Sequence, residues 1–377
     1  MKLTYQPAKC IGCRLCKLAC SGIKEGVFNP GLARLRVTSV YRPGDLVNTA
    51  ELRDRCGQCV EACPTGAITD GPHGLALDVD RCDKCGACIK VCPTGVLRAG
   101  YDAVIVEGRA GSPVYLLIED DQVQVKDAGH LWGHGAHGVE NELKAVHGEH
   151  CSVLAIGPAG ENLVPFACIS SDLYRQAGRG GVGAVMGSKN LKAVVIRGTG
   201  GVRAADAAGL MAASYEAFKN DLLTDTNLWA YTDGTPMIVE LSQTAGILPT
   251  KNYQQGTCDG YEAIKAEAVA GARAANKGCT ACGLGCGNYV RAGGAAVEGP
   301  EYETLSVAGS NCGISDLGTI MEFNRLCDDL GLDTISAGGV TAFATELSLL
   351  TQKSSPPMPF KDIDGNILPA KNWFGGI

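Results

Sequence analysis

CDKCGACIKVCP, residues 82–93, sets cysteines at 82, 85, 88 and 92 and a proline directly after the last. Three thiolates spaced two residues apart in a tight loop reach three irons of one cubane. A fourth, three residues on and before proline, leaves on a helix and can serve another cluster. The pattern recurs upstream as Cys10, Cys13, Cys16 and Cys20, and in shortened form as Cys56, Cys59 and Cys63 before Pro64. Zinc ribbons use paired C-x2-C knuckles without the third and fourth cysteine, so iron–sulfur ligation is the reading taken. Cys82, Cys85 and Cys88 share one cluster, whereas the owners of Cys20, Cys63 and Cys92 stay open. The middle run lacks its first cysteine, since Arg53 stands there. Eleven thiolates fill two cubanes with eight ligands. The three left over leave room for a third site, which a three-iron cluster, a borrowed ligand or nothing at all could fill.

The rest of the composition agrees with a folded redox protein. The 377 residues include 19 cysteines and 51 glycines, and 45% are hydrophobic against 19% charged, which excludes a disordered chain. An odd cysteine count without an export signal argues against a disulfide framework. A net charge of −7 and 6% aromatics argue against nucleic acid as the main partner. No apolar run reaches the roughly 18 residues of a membrane span, and MKLTYQPAKC has no signal-like apolar core. The chain is expected to be cytoplasmic. Residues 1–98 carry a basic excess that partly offsets negative thiolate-ligated clusters.

After Arg98 the composition changes. Ala103–Val106, Val114–Ile118, Val123–Val125 and Ser152–Ile156 read as strands. His130, His134, His137, His147 and His150 lie between them at irregular, glycine-rich spacing, which reads as a solvated loop rather than a metal site. GRGGVGAVMGSKNLKA (Gly178–Ala193) contains G-x-G-x-x-G. The preceding SDLYRQA is polar and unlike a strand, and Arg203 stands where a dinucleotide site needs an acid. The phosphate-loop offset also fails at Gly187-Ser188-Lys189. Two readings remain: a packing turn, or a turn whose backbone N–H groups approach an anionic cofactor beside Arg175 and Arg179. Farther on stand Cys279, Cys282 and Cys286, then EGPEYETL (Glu298–Leu305). A helix is predicted from about Gly318 to Leu330, with apolar Ile320, Phe323, Cys327 and Leu330, Asp316 capping its start and Gly331 ending it. A second amphipathic helix carries Val340, Phe343, Leu347 and Leu350.

Two resemblances follow from these motifs. Cys10–Val37, with the exits CPTGAI and CPTGVL, resembles polyferredoxin electron-transfer subunits. AGYDAVIVEG, SVLAIGPAGEN, AGRGGVGAVMGSKNLKA, EGPEYE and CDDLGLDTIS, in that order, resemble the tungsten-dependent aldehyde:ferredoxin oxidoreductase family over roughly residues 99–350. That resemblance implies a tungstopterin, with tungsten or molybdenum, and a [4Fe-4S] cluster. It implies that Arg175, Arg179 and Gly180 meet pterin phosphate, and that Asp328, Leu332 and Asp333 hold a pterin. Glu303 then lies near the metal as a proton-handling acid, and Cys279, Cys282 and Cys286 ligate the cluster. The family's dimer-helix metal pair reads Glu322-x-x-Arg325 here, which leaves that metal without its histidine. The family's fourth cluster cysteine and an active-site histidine belong to a third domain without a counterpart in these motifs. Cys312 and Cys327 are weak substitutes. Finally, ILPAKNWFGG (Ile367–Gly376) repeats ILPTKNYQQG (Ile247–Gly256).

The expected fold class is α+β: a small ferredoxin-like 4Fe-4S domain (1–98), a partial, β-rich tungstopterin domain (99–200), a mainly α-helical domain (201–350) and a Pro/Gly-rich tail (351–377). The expected activity is oxidation of an aldehyde to a carboxylate, with electrons leaving through the clusters to ferredoxin or a similar carrier. Another chain is expected to supply the missing catalytic domain. The alternative is a non-catalytic electron-transfer subunit whose second half docks; a nicotinamide dehydrogenase is a distant third.

Overall fold

The computed structural model describes residues 35–42, 45–52, 68–71, 74–77, 104–148, 151–171, 173–198, 205–217, 229–279, 284–292 and 295–352, with residues 16, 220, 221, 224 and 282. Apart from Cys16, the cysteines at 10–92 lie outside the described residues, as do His150 and the tail repeat. The described residues mix helix and sheet, in keeping with the expected class.

Two antiparallel hairpins come first: β1 (Leu35–Arg42) with β2 (Asp45–Leu52), and β3 (Ile68–Gly71) with β4 (Gly74–Leu77). A six-stranded sheet follows, built from β5 (Val114–Glu119), β6 (Gln122–Asp127), β7 (Ser152–Ala155), β8 (Ile169–Ser171), β9 (Arg175–Ala177) and β10 (Leu191–Arg197). Its order is β6-β5-β10-β7-β8-β9, and only the β5–β10 pair is parallel. Alternation along β5 and β10 sends Tyr115, Leu117, Ala193 and Val195 to one face. There α1 (Ala136–His147) supplies Val139 and Leu143 to close a core. Ile118, Val194 and Leu191 pack on the other face with Met186 of α3 (Val182–Ser188), which follows the single-turn α2 (Pro158–Glu161).

Three of the four expected strands form. Val104–Val106 is irregular instead, and the histidine segment is no loop: α1 and a preceding 3-10 turn (Gly129–Leu131) organise it. His147 exchanges a hydrogen bond with the Tyr115 hydroxyl, His130 meets Glu142, and His137 packs edge-on against Tyr174. SDLYRQA also departs from expectation, because Arg175–Ala177 is the edge strand β9. The glycine stretch therefore does run from strand to helix. However, β9 is antiparallel and three residues long, so no βαβ dinucleotide unit arises.

The second half holds α4 (Ala207–Ala217), α5 (Trp229–Thr232), α6 (Ile238–Ala245), α7 (Ala266–Ala272), a three-stranded sheet and two long helices, α8 (Leu317–Leu330) and α9 (Thr334–Gln352). The sheet, β11 (Arg273–Lys277), β12 (Gly287–Ala292) and β13 (Ala295–Glu298), is antiparallel in that order, so the region is less purely helical than expected. Val290 and Val297 from it join Leu305, Ile320 and Val239 in one core. Asp316 caps α8 by accepting from the Thr319 N–H, and Gly331 ends it at φ +74°, as expected. The expected apolar stripe of α9 is not its buried face. Val340 and Phe343 are 55% and 59% exposed, while Ala337 and Ala342 are buried. Small residues win that face because Gly338 lies against the Val307 backbone, where a Cβ would come within 2.8 Å.

Candidate functional site

A cavity of about 390 Å³ opens where β9, the end of β13, and α8 with its exit loop meet. Its wall contains Tyr174, Arg175, Gln176, Gly178 and Arg179 from the sheet side. Opposite stand Glu298, Glu301, Glu303, Thr304, Asn324, Asp328, Leu332 and Asp333. Six of the seven residues expected to hold or serve a pterin, namely Arg175, Arg179, Glu303, Asp328, Leu332 and Asp333, therefore share one cavity. Gly180 is not on its wall.

Local chain chemistry explains the placement. Leu332 bridges to Ala167, and the Asp333 N–H donates to the Phe166 carbonyl, which ties the α8–α9 loop to the chain entering β8. Asp333 then caps α9, accepting from the Ile335 N–H at 3.1 Å and the Ser336 hydroxyl at 2.6 Å. Arg179 donates at 3.2 Å to Asp333 Oδ2, the oxygen that also accepts from Ser336. The glycine turn divides its labour. Gly181 is left-handed (φ +71°), and at Gly187 a Cβ would come within 1.9 Å of the Gly160 carbonyl, so these two serve the fold. Gly180, at φ +95°, has no heavy atom within 4 Å of where its Cβ would be.

The electrostatics are unusual for a cavity wall. Glu298 is buried between Arg175, with which it is ion-paired, and Lys277, whose ammonium is 3.4 Å away. The Asp328 side chain accepts from Gln176 at 3.2 Å and from Asn324 at 3.4 Å. Burial, aided by the nearby Glu298 charge, pushes its carboxyl up to about 8. Glu301, half-buried and hydrogen-bonded by the Thr235 hydroxyl, is pushed by burial up to about 7. Glu303, by contrast, is exposed. Glu298, Glu301, Gln176 and Asn324 were not singled out from sequence. The EGPEYE segment held a signal for the two glutamates, but the α8 stripe was read from apolar residues alone. Asn324 and Asp328 in fact sit on its buried face.

Both raised carboxyls keep protons that the unfolded chain releases near pH 4. The folded state therefore binds more protons between about pH 4 and pH 8, and stability falls as pH rises through that window. Each group contributes a slope of at most about 1.4 kcal/mol per pH unit. Asp328→Asn should flatten the decline, read as melting temperature against pH on cofactor-stripped protein.

Cys279, Cys282 and Cys286 lie in the loop between β11 and β12. Cys279 is exposed, the other two are half-buried, and the Cys282 N–H donates to the Cys279 carbonyl. Burial raises the Cys286 thiol, with Glu301, Cys279 and Cys282 adding to the effect. Among the described residues no group of three or more His, Cys, Asp or Glu is close enough to hold a metal ion. The donor chemistry still suits an iron–sulfur cluster: three thiols occupy one glycine-rich loop within electrostatic reach of one another. Cys312 and Cys327 are buried, and burial raises Cys312 to about 12 and Cys327 further still. Glu322 and Arg325 form a two-point ion pair at 2.6 and 2.8 Å.

Family profiles match nearly the whole of the same ground. The aldehyde ferredoxin oxidoreductase N-terminal domain matches residues 90–198, and domains 2 and 3 of that enzyme match residues 210–356. A 4Fe-4S binding domain matches residues 7–25, and a 4Fe-4S dicluster domain matches residues 53–96. The tungsten-containing aldehyde ferredoxin oxidoreductase of Pyrococcus furiosus is 45% identical over 255 residues, 66% of this chain and 42% of that protein. The polyferredoxin-like subunit of an aliphatic sulfonate oxidoreductase from the same organism is 42% identical over 65 residues, 17% of this chain and 36% of that subunit. Among solved structures, the active-site complex BamBC of benzoyl coenzyme A reductase, in complex with 1,5-dienoyl-CoA, superposes with a TM-score of 0.54. It is 28% identical, over 65% of this chain and 39% of that one. This chain thus spans about two fifths of the length of the oxidoreductases it matches. No helix among the described residues is long and apolar enough to cross a membrane. Through residues 90–356, behind its iron–sulfur segment, the chain belongs to the aldehyde ferredoxin oxidoreductase family.

Proposed function

We propose that this chain is the iron–sulfur and pterin-holding part of an oxidoreductase that converts an aldehyde to a carboxylate and delivers the electrons to ferredoxin or a similar carrier. The observation that carries the reading is the shared cavity of Arg175, Arg179, Glu303, Asp328, Leu332 and Asp333. Its donor set suits a pterin with a phosphate tail. Two guanidinium groups can meet the anion, while Asp328 and Asp333 can accept from ring N–H groups. A carboxyl held near pH 8 by burial is one that added donors would draw back into its ionised form. A tungstopterin bound there would supply the two-electron redox chemistry, and the clusters would pass electrons on singly. The chain's own part is positional: Arg175 and Arg179 fix charge, Asp333 holds the loop, and Glu303 handles a proton at the cavity wall. The remaining wall is expected from further polypeptide, in the continuation of this chain or in a partner.

Anaerobically purified protein should contain iron, sulfide, tungsten or molybdenum, and pterin. Arg175→Ala should lower pterin content at least severalfold while iron at residues 1–98 stays constant. Protein with full iron that never takes up pterin would reduce the assignment to an electron-transfer subunit.

A further inference from the structure

Cys168 is fully buried, and nothing in the proposed chemistry uses its thiol. It stands two residues before Ser170 of β8, so both side chains leave the chain on one face. The β8–β9 ladder sets Ser170 directly opposite Gln176. Gln176 Oε1 accepts from the Cys168 thiol at 3.0 Å, and its Nε2 donates to the Ser170 hydroxyl at 3.1 Å. The second Nε2 hydrogen goes to Asp328 Oδ1 at 3.2 Å. These partners fix the amide in one of its two flips. Burial pushes the Cys168 thiol up to about 12, so at neutral pH it stays a donor. An acceptor in its place would turn the amide round and aim a carbonyl at Asp328.

Asn324 makes the matching contact from the other side. It lies one turn before Asp328 on α8 and donates to Asp328 Oδ2 at 3.4 Å and to the Glu298 carbonyl at 3.2 Å. Its own Oδ1 accepts from the Thr304 hydroxyl at 3.5 Å. Two amides from two elements thus hold one oxygen each, which fixes the plane of the carboxyl. An ionised carboxylate has about four acceptor sites. Two face the amides, and the others are left for a group in the cavity that Asp328 lines.

We infer that Cys168, Gln176 and Asn324 are positioning residues that set the Asp328 carboxylate for a ligand in this cavity, with the Cys168 thiol choosing the flip of Gln176. The inference rests on the reading that the cavity holds a pterin, whose ring N–H groups are the donors the carboxylate would meet. It also takes Cys168 out of the candidate iron ligands, because its sulfur serves as a hydrogen-bond donor.

The test uses the full chain and begins with cofactor-stripped protein at constant iron content. Around Asp328, Glu298 of β13 raises its carboxyl, while the Gln176 hydrogen bond, Lys277 of β11 and Arg175 of β9 lower it. The buried thiols of Cys168 and Cys327 face both Asp328 and Asp333. Gln176→Met keeps the volume and removes the donor, so Asp328 should hold its proton to higher pH. The fall of melting temperature with rising pH should then extend about one pH unit further than in wild type. In the Asp328→Asn background the same replacement should leave the pH profile unmoved. Identical profiles in wild type and Gln176→Met would overturn the inference. A shift that persists in the Asp328→Asn background would overturn it too, by showing that Gln176 does not act through Asp328.

Pterin-loaded protein gives the second reading. Cys168→Ala should speed pterin release on dialysis severalfold, and Cys168→Ser, which keeps a donor, should return most of the retention. Equal release from wild type and Cys168→Ala, or equal loss in the two Cys168 variants, would strike out the thiol as the donor that orients Gln176. Protein that never takes up pterin would defeat the proposed function, and the pH profiles would still decide whether Gln176 sets Asp328.

Discussion

Glu161→Ala should cost the fold about 3–5 kcal/mol, a large share of the ~5–15 kcal/mol that holds a typical domain together. The Lys192 side chain is 0% exposed and its ion-pair partner Glu161 is 5% exposed. The carboxylate also accepts from the Gly133 N–H through both oxygens, and the ammonium donates to the His134 carbonyl at 2.8 Å. Removing the carboxylate leaves a buried cation with one neutral acceptor. For a region of this size the loss corresponds to a melting-temperature drop of roughly 6–20 °C. Burial already lowers the Lys192 pKa, and Glu161 works against that. In the variant the unfolded chain binds a proton that the folded chain holds poorly. Stability should therefore recover as pH rises toward the ordinary lysine value. Calorimetry at pH 7 and pH 9.5 reads both effects. Lys192→Met combined with Glu161→Leu should recover most of the loss, because two apolar groups replace the pair without stranding a charge. A drop of less than ~1 kcal/mol in Glu161→Ala would mean that water reaches the ammonium.

The second large effect is on turnover. In a preparation active on a short aldehyde with benzyl viologen, Glu303→Gln should lower kcat by about 10²–10⁴, the usual contribution of a positioned acid or base. Glu301→Gln is the control on the same loop. Its carboxyl, held near 7 by burial, does not stand as open to the cavity as the exposed Glu303. It should leave most of kcat while moving the pH profile, since it removes a charge that changes between pH 6 and pH 8. Full activity in Glu303→Gln would shift the proton-handling role to Glu301. The chain tested without the remaining wall should turn over little, because preorganised donors are typically worth about 2.7–4 kcal/mol each.

Much of this protein was legible because its chemistry is written in spacing. Cysteines at intervals of two and three can be read without a fold, since the loop that brings thiolates to a cluster is local. Asp316 and Gly331 likewise marked the ends of α8, because capping is settled within one turn of backbone. The expectation that Asp328, Leu332 and Asp333 act together rested on one short loop, and that loop does line the cavity.

Other features depended on what the chain meets from far away. SDLYRQA looked too polar for a strand, yet Arg175–Ala177 becomes one because β8 offers it an edge, and its polar side chains face a cavity rather than a core. The apolar stripe of α9 lost its place to Ala337, Gly338 and Ala342, because close backbone approach rewards small residues and periodicity registers only large ones. The raised carboxyls of Asp328 and Glu301 have no local signature at all. Desolvation is a property of the surroundings, and those surroundings come from β9, β13 and α8 together. By itself, then, the sequence set out the candidate iron ligands and marked both ends of α8. Only the tertiary structure decided which carboxyls are buried and which glycines carry packing. These last depend on contacts between segments tens to hundreds of residues apart, which no local pattern encodes.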